Sequence, residues 1–132
     1  MISDQKIITA VQQYIENLEF LYLFGSVANN SDTHDSDIDL AFYTEMKMTN
    51  QKRWEAQQKL SVHFGRQVDL VDMSTASDIM RMQIVSKGQL LYARNKANID
   101  SFENNIFYRY IDLRESNKGI YQDIVQSGKI YG

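Results

Sequence analysis

Two aspartates with a single residue between them, Asp37 and Asp39, follow a Gly25-Ser26 pair, and ten residues separate Ser26 from Asp37. Side chains two apart on a strand point to one face, so Asp37 and Asp39 present paired carboxylates. Such a pair repels itself unless a cation or a base lies between the two charges. Magnesium prefers hard oxygen ligands and often uses one or two carboxylates together with substrate phosphates. Glycine lets the backbone approach a ligand closely, and the turn after it can aim N–H groups at an anion. Gly25, Ser26, Val27 and Ala28 are therefore the candidate phosphate cradle, and Asp37 and Asp39 the candidate metal ligands and catalytic carboxylates. The plainer readings are a glycine that only ends a strand and a solvated strand entrance, helped by Asp32 and Asp35. His34 is as well explained by a loop position as by a nucleotide contact.

A third acid follows in VDLVDM at 68–73. Asp69 is favoured over Asp72, because an acid between Val68 and Leu70 is seldom buried without a partner. Asp72 closes the run and can simply begin a turn. A carboxylate trio of Asp37, Asp39 and Asp69 beside a phosphate-binding turn suits magnesium-dependent nucleotide chemistry. Asp69 would complete the metal cage and help deprotonate an attacking hydroxyl.

The elements that must hold these residues can be read from periodicity. Residues 4–18 carry Ile7, Ile8, Val11, Tyr14, Ile15 and Leu18 at helical spacing, with Ser3 or Asp4 as cap. Residues 20–24 are apolar without a break, which suits a central strand covered on both faces. Asn30 to Ser36 reads as a polar loop, and 37–43 as a second strand. Thr49 or Asn50 opens a helix whose partly apolar face is marked by Trp54, Gln57, Leu60 and Phe64, with Trp54 and Phe64 expected in the core. A third strand covers 67–72. Thr75 and Asp78 form a capping box for the next helix, which Gly88 stops. Leu90 to Tyr92 is a short strand or an extended tail. Asp100 with Glu103 forms a second capping box for a long final helix. The fold class is α/β (α+β), with a small mixed sheet flanked by helices. Residues 1–98 form the core, and 99–132 a helical segment packed on the same domain.

On its final helix, Ile106, Tyr110, Leu113 and Ile124 are assigned to the sheet side. Phe102, Phe107, Tyr108, Tyr110, Tyr121 and Tyr131 offer more aromatic surface than one helix readily buries. Side chains on the other face, Tyr108 among them, are expected to contact a protein partner or a second copy of the chain.

Composition narrows the classes. The chain has 132 residues, enough for one ordinary core. Cysteine is absent, which removes disulfides and thiolate metal sites, and two histidines are too few for a convincing zinc site. The start MISDQKIITA has no basic region followed by an apolar stretch, so no signal peptide is expected. No apolar run approaches the roughly 18 residues of a membrane span. A cytoplasmic location is the expectation, with no membrane partner. The net charge of −3 and the lack of a basic patch argue against direct nucleic-acid binding.

The Gly25-Ser26 and Asp37-Ile38-Asp39 spacing resembles the active-site signature of the nucleotidyltransferase superfamily related to DNA polymerase beta. FLYLFGS, SDIDLA, VDLVDM and IVSKGQLLY extend the likeness over roughly residues 3–92 to the MntA antitoxins of HEPN/MNT toxin–antitoxin pairs. The resemblance implies a minimal nucleotidyltransferase that transfers AMP from ATP to a tyrosine of a HEPN-domain ribonuclease toxin, encoded next to it, and silences it. It also implies triphosphate binding at Gly25 and Ser26, two Mg2+ ions at Asp37 and Asp39, and Asp69 as third acid. A homodimer or higher hetero-oligomer fits the same expectation. The stretch GSVANN departs from the family's Gly-Ser-x-Ala-x-Gly turn: Asn30 stands in the glycine place, and asparagine tolerates left-handed backbone. Rival readings are a binding-only antitoxin that masks its toxin, and a transferase acting on a small-molecule or nucleic-acid hydroxyl.

Overall fold

The computed structural model describes residues 2–25 and 37–116. The elements are α1 (Asp4–Tyr14), β1 (Leu18–Phe24), β2 (Ile38–Thr44), α2 (Asn50–Phe64), β3 (Val68–Asp72), α3 (Asp78–Lys87), β4 (Gln89–Ala93) and α4 (Lys96–Ser116). The strands form one sheet in the order β3-β2-β1-β4. β1 runs antiparallel to β2 and β4, while β2 and β3 are parallel through the α2 crossover. This is the mixed sheet with flanking helices and a long C-terminal helix expected from the sequence.

Strand alternation divides the interior in two. Leu21, Leu23, Ile38, Leu40, Phe42, Val68 and Leu70 point to one face and pack with Ile7 and Val11 of α1 and Leu60 of α2. Phe20, Tyr22, Ala41 and Met73 point to the other and pack with Ile84 of α3 and Ile99 and Ile106 of α4. β1 is buried on both faces from Leu18 to Leu23, as an unbroken apolar run requires.

Several boundaries differ from the sequence reading. α1 ends at Tyr14 rather than 18, because Ile15 turns extended and Asn17 takes a left-handed backbone with φ 57°. Ile15 and Leu18 are buried all the same, which is why they extended the apparent helical stripe. Ser3 and Thr49 are the caps of α1 and α2, accepting from the N–H groups of Lys6 and Lys52. The cap of α3 is Ser77, which accepts from Met80 N–H at 3.1 Å, and not Thr75. α4 starts a turn before Asp100, with Asn95 Oδ1 accepting from Asn98 N–H at 3.1 Å. Leu90 to Tyr92 belongs to a true strand paired with β1.

Two aromatic assignments are also corrected. Trp54 is 54% exposed rather than core, while Phe64 packs partly buried against the first core. Phe102 is turned inward, its ring 5.0 Å from that of Phe20 and 4.8 Å from that of Tyr43. The sheet side of α4 carries Ile106 buried and Tyr110 and Leu113 half-buried, whereas Tyr108 is 70% exposed. Ile124, Tyr121 and Tyr131 lie outside the described residues.

Candidate active site

Three strand ends meet at one end of the sheet. Phe24, the last residue of β1, pairs with Asp39 of β2, and Asp39 pairs in turn with Asp69 of β3. Asp39 is two residues from Ala41, and Asp69 two from Val71, so both carboxylates stand on the face covered by α3 and α4. Asp37 is exposed, one residue ahead of β2. The parallel register through α2 therefore brings Asp69 beside Asp39 as the sequence reading expected, and leaves Asp72 at the opposite end of β3. Ser26, Val27 and Ala28 lie outside the described residues, as do Asn30, Asp32, His34 and Asp35.

Gly25 follows β1 with φ +77°, a conformation that side chains rarely tolerate. A Cβ here would run into Asp39 Oδ2 and lie 3.1 Å from Asp39 Cγ. Glycine is thus required twice: for the backbone angle, and to let the Asp39 carboxylate lie against the turn. The sequence suggested the backbone freedom; the approach of Asp39 is visible only in three dimensions.

The electrostatics are those of crowded acids. The Asp39 carboxyl is pushed up from 3.8 to about 6, first by burial, then by Asp69 through its charge and as a hydrogen-bond partner, and then by the charge of Asp37. Among the described residues no three His, Cys, Asp or Glu side chains form a closed metal cage. The donor chemistry nevertheless suits magnesium, which commonly binds through one or two carboxylates and completes its shell with phosphate oxygens. The fit is to an in-register pair, Asp39 and Asp69, with Asp37 at its mouth.

Asp72 shows the other fate of a strand aspartate. It is 6% exposed and bound by its own turn, accepting from Ser74 N–H at 2.9 Å and Ser74 Oγ at 2.7 Å.

Sequence reasoning missed a polar row on α2. Arg53, Gln57 and Ser61 recur at four-residue spacing and reach the open edge of β3. Gln57 Oε1 accepts from Leu70 N–H at 2.9 Å, Arg53 Nη1 donates to the Leu70 carbonyl at 3.0 Å, and Ser61 Oγ accepts from Val68 N–H at 3.0 Å. The four-residue period was the available signal; Gln57, read with the partly apolar face of this helix, is instead bonded through Oε1 to the edge of β3 and to Arg53.

The family model described as Polymerase beta, Nucleotidyltransferase matches residues 5–97. The chain belongs to this nucleotidyltransferase family. This nucleotidyltransferase is 31% identical to the protein adenylyltransferase MntA of Shewanella oneidensis, over 94% of its own length and 88% of the relative's. It also superposes on a chain from a crystal structure of a toxin–antitoxin with AMP-PNP, with a TM-score of 0.84, 31% identity, and coverage of 94% of this chain and 99% of that one. A third match is to a chain from a structure of tri-AMPylated Shewanella oneidensis HEPN toxin in complex with MNT antitoxin. Its TM-score is 0.77 and its identity 30%, covering 92% of this nucleotidyltransferase and 95% of that chain. Among the described residues no helix is long and apolar enough to cross a membrane.

Proposed function

We propose that this protein is an antitoxin adenylyltransferase that moves AMP from ATP to a tyrosine hydroxyl of a HEPN ribonuclease toxin, neutralising it. The observation that carries this reading is the in-register Asp39–Asp69 pair against the Gly25 turn. It lies in a chain resembling a protein adenylyltransferase over nearly its whole length.

In this reading Gly25, Ser26, Val27 and Ala28 hold the triphosphate through backbone N–H groups and the Ser26 hydroxyl. Asp37, Asp39 and Asp69 would hold two Mg2+ ions, which would supply positive charge to the phosphates and the attacking oxygen. The tyrosine oxygen forms a bond to the α-phosphorus, the bond to pyrophosphate breaks on the opposite side, and Asp69 helps to accept the phenolic proton. Placement and electrostatics account for most of the acceleration in such transfers. The crowding that raises Asp39 is of the kind a cation held by these acids would relieve. The outward face of α4, with Tyr108 and Ile111 more than half exposed, is the toxin-facing surface in this reading. The net charge of −3 favours encounter with a basic partner.

Incubation with labelled ATP, Mg2+ and the HEPN protein tests the proposal. Label is expected on a toxin tyrosine, with loss of ribonuclease activity. Tight binding and inhibition without label would replace it with a masking role.

A further inference from the structure

Among the described residues β3 is an edge strand, with β2 on one side only. Its other side presents N–H and C=O groups that a sheet edge normally leaves to solvent or to another strand. Here α2 meets them with side chains. The bonds fall on both neighbours of Asp69: Ser61 on Val68 N–H, and Gln57 and Arg53 on Leu70 N–H and C=O. The row is also bonded within itself, Arg53 Nη1 donating to Gln57 Oε1 at 3.1 Å and Ser61 Oγ donating to the Gln57 carbonyl at 2.9 Å. Gln57 sits at its centre. Its Oε1 receives both Leu70 N–H and Arg53, so one side chain ties the strand to the guanidinium that holds the next carbonyl.

The side chain of Asp69 points to the opposite face from Val68 and Leu70, whose side chains anchor in the first core. The depth and twist of the Asp69 Cα are therefore set by what grips the backbone on either side of it. We infer that Gln57 is a positioning residue for Asp69: through the Val68–Leu70 backbone it fixes the third carboxylate against Asp39. This rests on the adenylyltransferase reading of the site. Neither Gln57 nor Arg53 touches the reacting atoms.

The test is steady-state AMP transfer to the HEPN protein by the full chain, for Gln57→Met, Gln57→Glu and a core variant on the α1 side, Ile7→Val. Gln57→Met keeps the length of the side chain and loses its acceptor. Gln57→Glu keeps an acceptor for Leu70 N–H and a partner for Arg53. A carboxylate displaced by a fraction of an ångström should slow the transfer itself and leave nucleotide affinity alone. The expected result is a kcat about tenfold lower for Gln57→Met, with KM for ATP within about twofold, and recovery of most of kcat in Gln57→Glu. Ile7→Val should lower the melting temperature and leave kcat per folded molecule unchanged. If Gln57→Met loses only melting temperature, as Ile7→Val does, or if KM rises while kcat holds, the residue supports the fold alone and the inference is overturned. A wild-type chain that transfers no AMP would overturn the adenylyltransferase reading and this inference together. Transfer by wild type with an unaffected Gln57→Met overturns this inference only.

Discussion

β3 carries an aspartate near each end, and the two are treated in opposite ways. Asp72 is buried and receives two hydrogen bonds from Ser74 within its own turn. Asp69 faces another acid across the sheet, and Asp39 is raised to about 6, first by burial and then by this neighbour. A carboxylate that serves the fold is satisfied by its nearest neighbours in sequence. In the adenylyltransferase reading, a carboxylate kept for chemistry stands against a like charge instead.

Substitution should separate these two roles. Asp39→Asn, or Asp37→Asn, should abolish AMP transfer, a loss on the order of a hundredfold or more, with the circular dichroism spectrum unchanged. Appreciable transfer by the double Asn variant would remove the metal assignment and erase the contrast with Asp72. Gly25→Ala comes next. Its methyl group meets the Asp39 carboxylate at a backbone angle that alanine resists, so transfer should fall at least about tenfold. Wild-type turnover in that variant would show that Asp39 stands clear of the turn during catalysis. Asp72→Ala should do the reverse: stability lower by about 1–3 kcal/mol in urea unfolding, with kcat per folded molecule retained.

The smallest effect is on pH. Asp39 keeps its proton in the folded protein at values where an unfolded aspartate has lost it, so between 3.8 and about 6 the native state binds the extra proton. Stability in the absence of divalent ions should therefore fall as pH rises through that window. The melting temperature should accordingly increase slightly from pH 7 to pH 5, and Asp39→Asn should flatten that part of the profile. A wild-type profile already flat there would mean that neither burial nor Asp69 raises Asp39 in solution.

The same contrast explains what could be read from the sequence. The pairing of Asp37 and Asp39 was legible because their relation is local, although the strand begins at Ile38 and not at 37, leaving Asp37 just ahead of it. Asp69 was separable from Asp72 by its apolar neighbours, and the structure places it in register with Asp39. The role of Arg53, Gln57 and Ser61 was not legible, because it depends on which strand lies at the edge of the sheet, and order within a sheet is not written in periodicity. Local patterns also misled. Asp100 and Glu103 match a capping box, yet both lie inside α4, where three-residue spacing recurs on any helix face. Trp54 looked like core by its chemistry, but the core side of α2 is held by Ala56 and Leu60. Ser26, Val27 and Ala28 are legible only as a motif.

The parallel pairing of β2 with β3 bears on when the protein becomes competent during its synthesis. A hairpin such as β1–β2 can form from neighbouring chain, but a parallel neighbour needs the whole crossover to be present first. A nascent chain that has emerged only through β2 holds Asp37 and Asp39 with nothing opposite them. The third acid arrives only after α2 has been made and has folded back across the sheet. In the adenylyltransferase reading, such a ribosome-bound fragment has no working centre, and protection against the toxin begins only when the chain beyond α2 has docked.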